Sequence, residues 1–145
     1  MTTESANLAA CRDCQHAVSL SAPACPHCGA PAPANAEWSG SGYEYKSSAT
    51  LLGLPLVHVA FGRDRHNRRR VATGIVAIGQ FGRGVITIAQ FGVGAVFVGQ
   101  FGVGMLALGQ FAAGACVAAQ FAAGLYVLGQ FGLALIHGHA AVLFP

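Results

Sequence analysis

Between residues 84 and 145 the chain has no aspartate, glutamate, lysine or arginine. A surface without fixed charge is poorly suited to remaining monomeric in water, so an account of function has to say what covers it. Charge is scarce elsewhere and unevenly signed. Residues 1–50 carry Arg12 and Lys46 against Glu4, Asp13, Glu37 and Glu44, a net −2, whereas residues 51–145 carry six arginines against Asp64, a net +5. The N-terminal Met-Thr-Thr-Glu-Ser-Ala-Asn lacks the basic and apolar stretches of a secretory signal, which predicts a cytoplasmic protein. Also missing are a Ser/His/Asp or Cys/His constellation and a glycine loop that opens a helix and cradles phosphate. The expectation is a protein that is not an enzyme and has no small-molecule substrate.

Four of the five cysteines form two C-x-x-C pairs, Cys11-Arg-Asp-Cys14 and Cys25-Pro-His-Cys28. In a chain without a signal this reads as metal binding before disulfides. Two tight knuckles place four thiolates tetrahedrally around one ion, and zinc suits such a set best, with a thiol redox pair or an iron site as the competing readings. Gly29 follows the second knuckle, where positive φ lets amides approach the sulfurs, whereas Gln15 holds the equivalent place in the first. His16 and His27 are spare while four cysteines are present. Residues 11–32 resemble the short zinc ribbons at the ends of many bacterial proteins. That resemblance implies a structural Zn2+ on Cys11, Cys14, Cys25 and Cys28, in an interaction or capping module. Domain limits follow: a disordered N-terminus over 1–10, the ribbon over 11–31, and a Pro/Ala/Ser/Gly-rich linker over 32–48.

From about residue 49 to 145 the chain is repetitive. Gln-Phe-(Gly/Ala) recurs every ten residues from Gln80, Gln90, Gln100, Gln110, Gln120 and Gln130, and a glycine leads each unit at Gly74, Gly84, Gly94, Gly104, Gly114 and Gly124. On a helix, ten residues turn by about 1000°, leaving successive glutamines about 80° apart, so no helical face collects them. A finer rhythm of five residues, small-x-apolar-x-x, pairs Gly79 with Phe81, Gly84 with Ile86 and Ala89 with Phe91, and continues to Ala134 with Ile136. Residues i and i+2 of a strand face the same way, which predicts that each pair points inward and that every unit contains a corner.

This spacing resembles the four-sided β-helix of pentapeptide-repeat proteins, with glutamine in alternate units where that family carries Asp or Asn. The predicted class is all-β, a β-solenoid of about twenty residues per turn, with about ten per turn as the alternative. The expected core is Phe61, Phe81, Phe91, Phe101, Phe111, Phe121 and Phe131. Phe81, Phe101 and Phe121 form one column there and Phe91, Phe111 and Phe131 another, with Phe61 in phase twenty residues before Phe81. Cys116 falls in an inward apolar slot. The six glutamines are expected outside as hydrogen-bonded ladders.

Arg63, Arg65, Arg68, Arg69 and Arg70 crowd a basic loop over 63–70. They are candidates for contact with anionic lipid or phosphate, against the plainer reading of a solvated loop. No aromatic residue interleaves with them, which makes nucleic acid an unlikely partner. His137 and His139, two residues apart, are spaced to share a metal, but with no carboxylate nearby in the sequence they read as end-cap residues. Because solenoid ends expose unpaired backbone groups, stacking into filaments is expected. In this the chain resembles the bacterial bactofilins, polymer-forming β-helix proteins, which implies a cytoskeletal or scaffolding role with the chain itself as partner. The alternatives are a membrane-associated module, its apolar faces or arginines on an anionic bilayer, and a nucleic-acid-binding regulator.

Overall fold

The structure, a computed structural model, describes residues 7–144, with side chains as far as Ala140. Among these residues it is all-β and contains no α-helix. The chain forms two compact units, Met1–Ser41 with Arg63–Arg68, and Gly42–Gly62 with Arg69–Pro145.

In the first unit, β1 (Leu8–Ala10) pairs antiparallel with β2 (Ala17–Ser19), Ala10 opposite Ala17, which brackets the first cysteine pair. Part of the N-terminus expected to be disordered is therefore strand; residues 1–6 lie outside the described residues. The presumed linker is also structured. Pro33 is fully buried, its carbonyl accepts the Arg12 amide at 2.9 Å, and Ala24 bridges Pro31. Composition alone misjudged this segment because the small core of Cys11, Val18, Cys25 and Ala30 needs a lid, and Ala34 packs on it. Residues 63–68 form a tight turn in the same unit, with Asp64 Oδ1 accepting the amides of His66 at 2.9 Å and Arg68 at 2.8 Å and Asn67 at positive φ. Asparagine tolerates that conformation better than most residues.

In the second unit, β4 (Thr50–Leu51) and β5 (Leu54–Pro55) form a hairpin whose two turn residues, Leu52 and Gly53, both have positive φ. β3 (Gly40–Lys46), within the segment expected as linker, joins β6 (Val57–Asp64) and β7 (Ala72–Phe144) in the order β3-β6-β7. β6 runs parallel to β7 with Val57 opposite Val76 and Ala60 opposite Gly79, an offset of nineteen. Phe61 is therefore one residue out of phase with Phe81.

Along β7 as far as Ala140 the burial alternates and then slips. Ala119 is buried, Gln120 and Phe121 both face out, and Ala122 is buried again. Five residues later the slip recurs: Leu125 and Tyr126 are both exposed and Val127 is buried. The interior is filled by one residue from each ten, Ala77, Thr87, Phe97, Ala107, Val117 and Val127, together with small residues such as Ala89, Ala112, Ala119 and Ala122. The buried Thr87 hydroxyl donates to the Val93 carbonyl at 2.9 Å.

The predicted phenylalanine core is therefore corrected. Phe61, Phe91, Phe101, Phe111, Phe121 and Phe131 are each about two-fifths exposed and Phe81 is half-buried. Cys116 is exposed as well. The reason is lack of interior room. A Cβ built on Gly114 meets the carbonyl oxygen of Gly104, and one on Gly124 meets that of Gly114, so backbones ten residues apart nearly touch. The single large interior ring, Phe97, fits because Gly92 and Gly102 flank it; a Cβ on either would press against that ring. Outside, the rings of Phe81, Phe91, Phe101, Phe111, Phe121 and Phe131 stack in one column, each on the next. Their centroids are 4.6–5.4 Å apart and their planes lie within 14°. The two alternating columns expected at a twenty-residue interval are replaced by this single one at ten.

Candidate metal centre

Both knuckles are built by the same backbone pattern. The amide of Gln15 donates to the Cys11 carbonyl at 2.9 Å, and the amide of Cys11 to the His16 carbonyl at 2.8 Å. In the second, Gly29 donates to Cys25 and Cys25 to Ala30, both at 2.8 Å. The residue after each second cysteine turns the chain at positive φ, +76° for Gly29 and +62° for Gln15. Gln15 thus adopts the glycine-like conformation at a cost of about 1 kcal/mol.

The four sulfurs all lie within 4.8 Å of one another, with Cys11 to Cys28 at 3.7 Å and Cys14 to Cys25 at 3.6 Å. A tetrahedron with metal–sulfur bonds of about 2.3 Å has edges of about 3.8 Å, close to the two shortest of these separations, so the cluster could hold one metal ion. The amides of Cys14 and Asp13 hold the Cys11 thiol down to about 6, against the opposing effect of burial. The amides of Cys28 and His27 likewise lower Cys25. Cys14 is pushed up to about 12: the His16 amide lowers it, but burial and the sulfurs of Cys28, Cys25 and Cys11 outweigh that amide. Cys28 also rises, despite the Ala30 amide. Four thiolates this close repel one another, and a dipositive ion is the charge that lets all four ionise together.

His16 and His27 stack on one another, centroids 3.7 Å apart, and stand outside the sulfur cluster. Arg12 covers Trp38 with its guanidinium 4.8 Å from the ring centroid and donates to the Arg65 carbonyl at 3.1 Å.

Of the other predicted site residues, the six phenylalanines from Phe81 to Phe131 come together in the stack described above. All six glutamines of the repeat are exposed. The arginines divide between the two units. Arg63 donates to the Asn67 carbonyl at 2.9 Å, while Arg69 lies over the Phe81 ring and Arg70 pairs with Glu44. Arg65 and Arg68 belong to the tight turn. Glu44 was not singled out by the sequence, yet it gathers Lys46 at 2.8 Å, His58 at 3.3 Å and Arg70. His58 is buried and its Nδ1 accepts the Thr73 amide at 2.8 Å. No local spacing links Glu44 to Arg70; β3 lies beside β6, and the Arg70 amide donates to the Gly62 carbonyl of β6 at 3.0 Å.

The chain matches no protein-family model, no curated protein and no solved structure. Among the described residues no helix is long and apolar enough to cross a membrane.

Proposed function

We propose that the chain is a self-assembling structural scaffold: a β-solenoid of ten residues per coil whose apolar exterior is covered by other copies, carrying a zinc ribbon that serves as a handle for partners. The observation that carries this reading is the inverted packing of β7, with small residues inside and large apolar ones outside. Val103, Met105, Leu106, Leu108, Leu128 and Leu133 are all 45% or more exposed. Two outward-facing residues at each slip in the burial pattern act as corners, at 0–1 and 5–6 of each ten. A coil with two short sides and two corners accounts for the ten-residue period. Coils then rise by about 4.8 Å, the strand spacing, in keeping with the phenylalanine stack.

Covering a half-exposed leucine or phenylalanine is worth on the order of 1 kcal/mol. A dozen from each of two copies outweigh an association cost of about 4–15 kcal/mol. Protein is a better cover than lipid because six glutamines line the same surface, and hydrocarbon offers their amides no hydrogen bonds. Among the candidate ions, zinc fits the closed set of four thiolates, where it supplies a cross-link rather than an open coordination position.

Negative-stain microscopy and sedimentation of the purified chain in detergent-free buffer test the reading. Ordered fibres or discrete large oligomers are expected. Monodisperse monomers over a broad concentration range overturn it, and so does recovery only from detergent-solubilised membranes, which assigns the exterior to lipid.

A further inference from the structure

The last coil of the array carries an arrangement that the assembly reading does not use. His137 and His139 stand two residues apart on β7, and their Nε2 atoms approach to 3.1 Å with the rings nearly perpendicular, 75° between planes. Both side chains are exposed. Alternation along a strand puts residues i and i+2 on one face, which brings the two rings together. The same nitrogen of each ring, Nε2, faces the other at hydrogen-bonding distance.

We infer that His137 and His139 form a second, open metal site, which chelates a late divalent transition-metal ion through both Nε2 atoms. Two imidazole nitrogens bound to one ion at about 2.0–2.1 Å, with an angle of about 90–110° between the bonds, lie about 2.8–3.4 Å apart. The observed separation falls inside that range. The donor set selects the ion class: neutral imidazoles suit nickel, copper and zinc, whereas a hard cation such as magnesium or calcium requires oxygen ligands. Two ligands leave coordination positions for water or for donors from another molecule.

The surroundings separate this site from the thiolate cluster in kind. The two histidines border a shallow apolar groove that also includes Leu108, Cys116, Tyr126 and Leu128. The intervening Gly138 is half-buried, which leaves the two rings side by side without a bulky neighbour between them. The sulfur cluster is closed by its four cysteines; the histidine pair can exchange its ion.

The test uses the full chain with its cysteines loaded with zinc, titrated with Ni2+ by isothermal calorimetry. Nickel is the suitable probe because it does not oxidise thiolates as Cu2+ does. One equivalent is expected to bind, and His137→Gln with His139→Gln together are expected to abolish that binding. His139→Gln alone should weaken it by at least about tenfold, the loss of one chelating ligand at about 1.4 kcal/mol per decade. Substituting the stacked pair, His16→Gln with His27→Gln, should leave it unchanged. Circular dichroism of each variant confirms that the strand content is intact. The inference is overturned if the intact chain binds no stoichiometric Ni2+, or if the double variant at 137 and 139 binds it as well as the parent. Neither outcome depends on whether copies assemble.

Discussion

The cysteine unit and the repeat array solve the problem of holding a chain together in opposite ways. The first has almost no apolar interior, five buried residues of which two are cysteines, and places four sulfurs at the spacing of a metal site through two positive-φ turns. The second has no conformational singularity along β7 after Ala72; it relies on repetition, on glycine and alanine small enough for backbones to touch, and on rings stacked outside. In one unit a few residues are irreplaceable. In the other the period matters more than any single residue, and the cost of a change depends on whether it falls inside or outside.

The sharpest way to break that contrast is to deny the four cysteines the zinc proposed for them. Binding free energies of structural zinc run to about 10–16 kcal/mol in small peptides, and they are folding free energies. Chelation, or Cys25→Ser, is expected to unfold the cysteine unit and leave the array intact. Trp38 is the only tryptophan and lies in the first unit under Arg12, so its emission reports that unit alone, while strand circular dichroism is dominated by β7. Loss of strand signal together with the change in Trp38 emission would show that the units are not independent.

Next in size is a side chain forced between backbones ten residues apart. Gly114→Val places Cβ against the Gly104 carbonyl, a backbone atom that cannot step aside. Overpacking of this kind costs about 1–3 kcal/mol or more, and the midpoint of thermal unfolding should fall by about 4–8 °C per kcal/mol. Leu133→Ala, on an exposed site, should barely move the unfolding midpoint while weakening assembly. Equal effects from the two would contradict the inside-outside assignment. At most equal to the Gly114→Val effect is that of Phe111→Ala, which removes ring contacts at 4.7 Å to Phe101 and 4.6 Å to Phe121. At about 0.5–1.5 kcal/mol per aromatic pair the loss is about 1–3 kcal/mol, read by chemical denaturation.

These substitutions also mark what the sequence could and could not convey. The sulfur cluster was legible because C-x-x-C spacing sets where the sulfurs point, and Gln15 adopts the turn that Gly29 suggested for its place. The all-β class was legible because a ten-residue period collects on no helical face. Which residues lie inside was only half legible. The small members of several pairs, Ala119 among them, are buried as expected; its partner, Phe121, faces out because Gln120 and Phe121 turn outward together and shift the alternation by one. Hydrophobicity favoured the phenylalanines for the interior, whereas the contact of backbones ten residues apart, which is a tertiary fact, excluded them. The Pro/Ala-rich stretch around Pro33 failed for a similar reason: it folds onto sulfur ligands, not onto an apolar core of its own.

The smallest effect concerns charge, which the array lacks beyond Arg83 but which gathers around Glu44. The hydrogen bond from Lys46 holds the Glu44 carboxyl below its usual value; partial burial opposes this, and Lys46, Arg70 and His58 add to it. A carboxylate whose pKa is lower in the folded than in the unfolded chain binds fewer protons when folded. It therefore stabilises above the unfolded value of about 4.3 and loses that contribution as pH falls through the lowered folded value. About a third of the side chain is exposed, so solvent screening limits the contribution to about 0.5–1 kcal/mol. Glu44→Gln should accordingly lower the urea midpoint of the array at pH 7, and the gap from the parent should narrow steadily toward pH 3. A gap that persists undiminished in acid would mean that Glu44 acts there through hydrogen bonding and shape, and that even this corner of the array is held by geometry instead of charge.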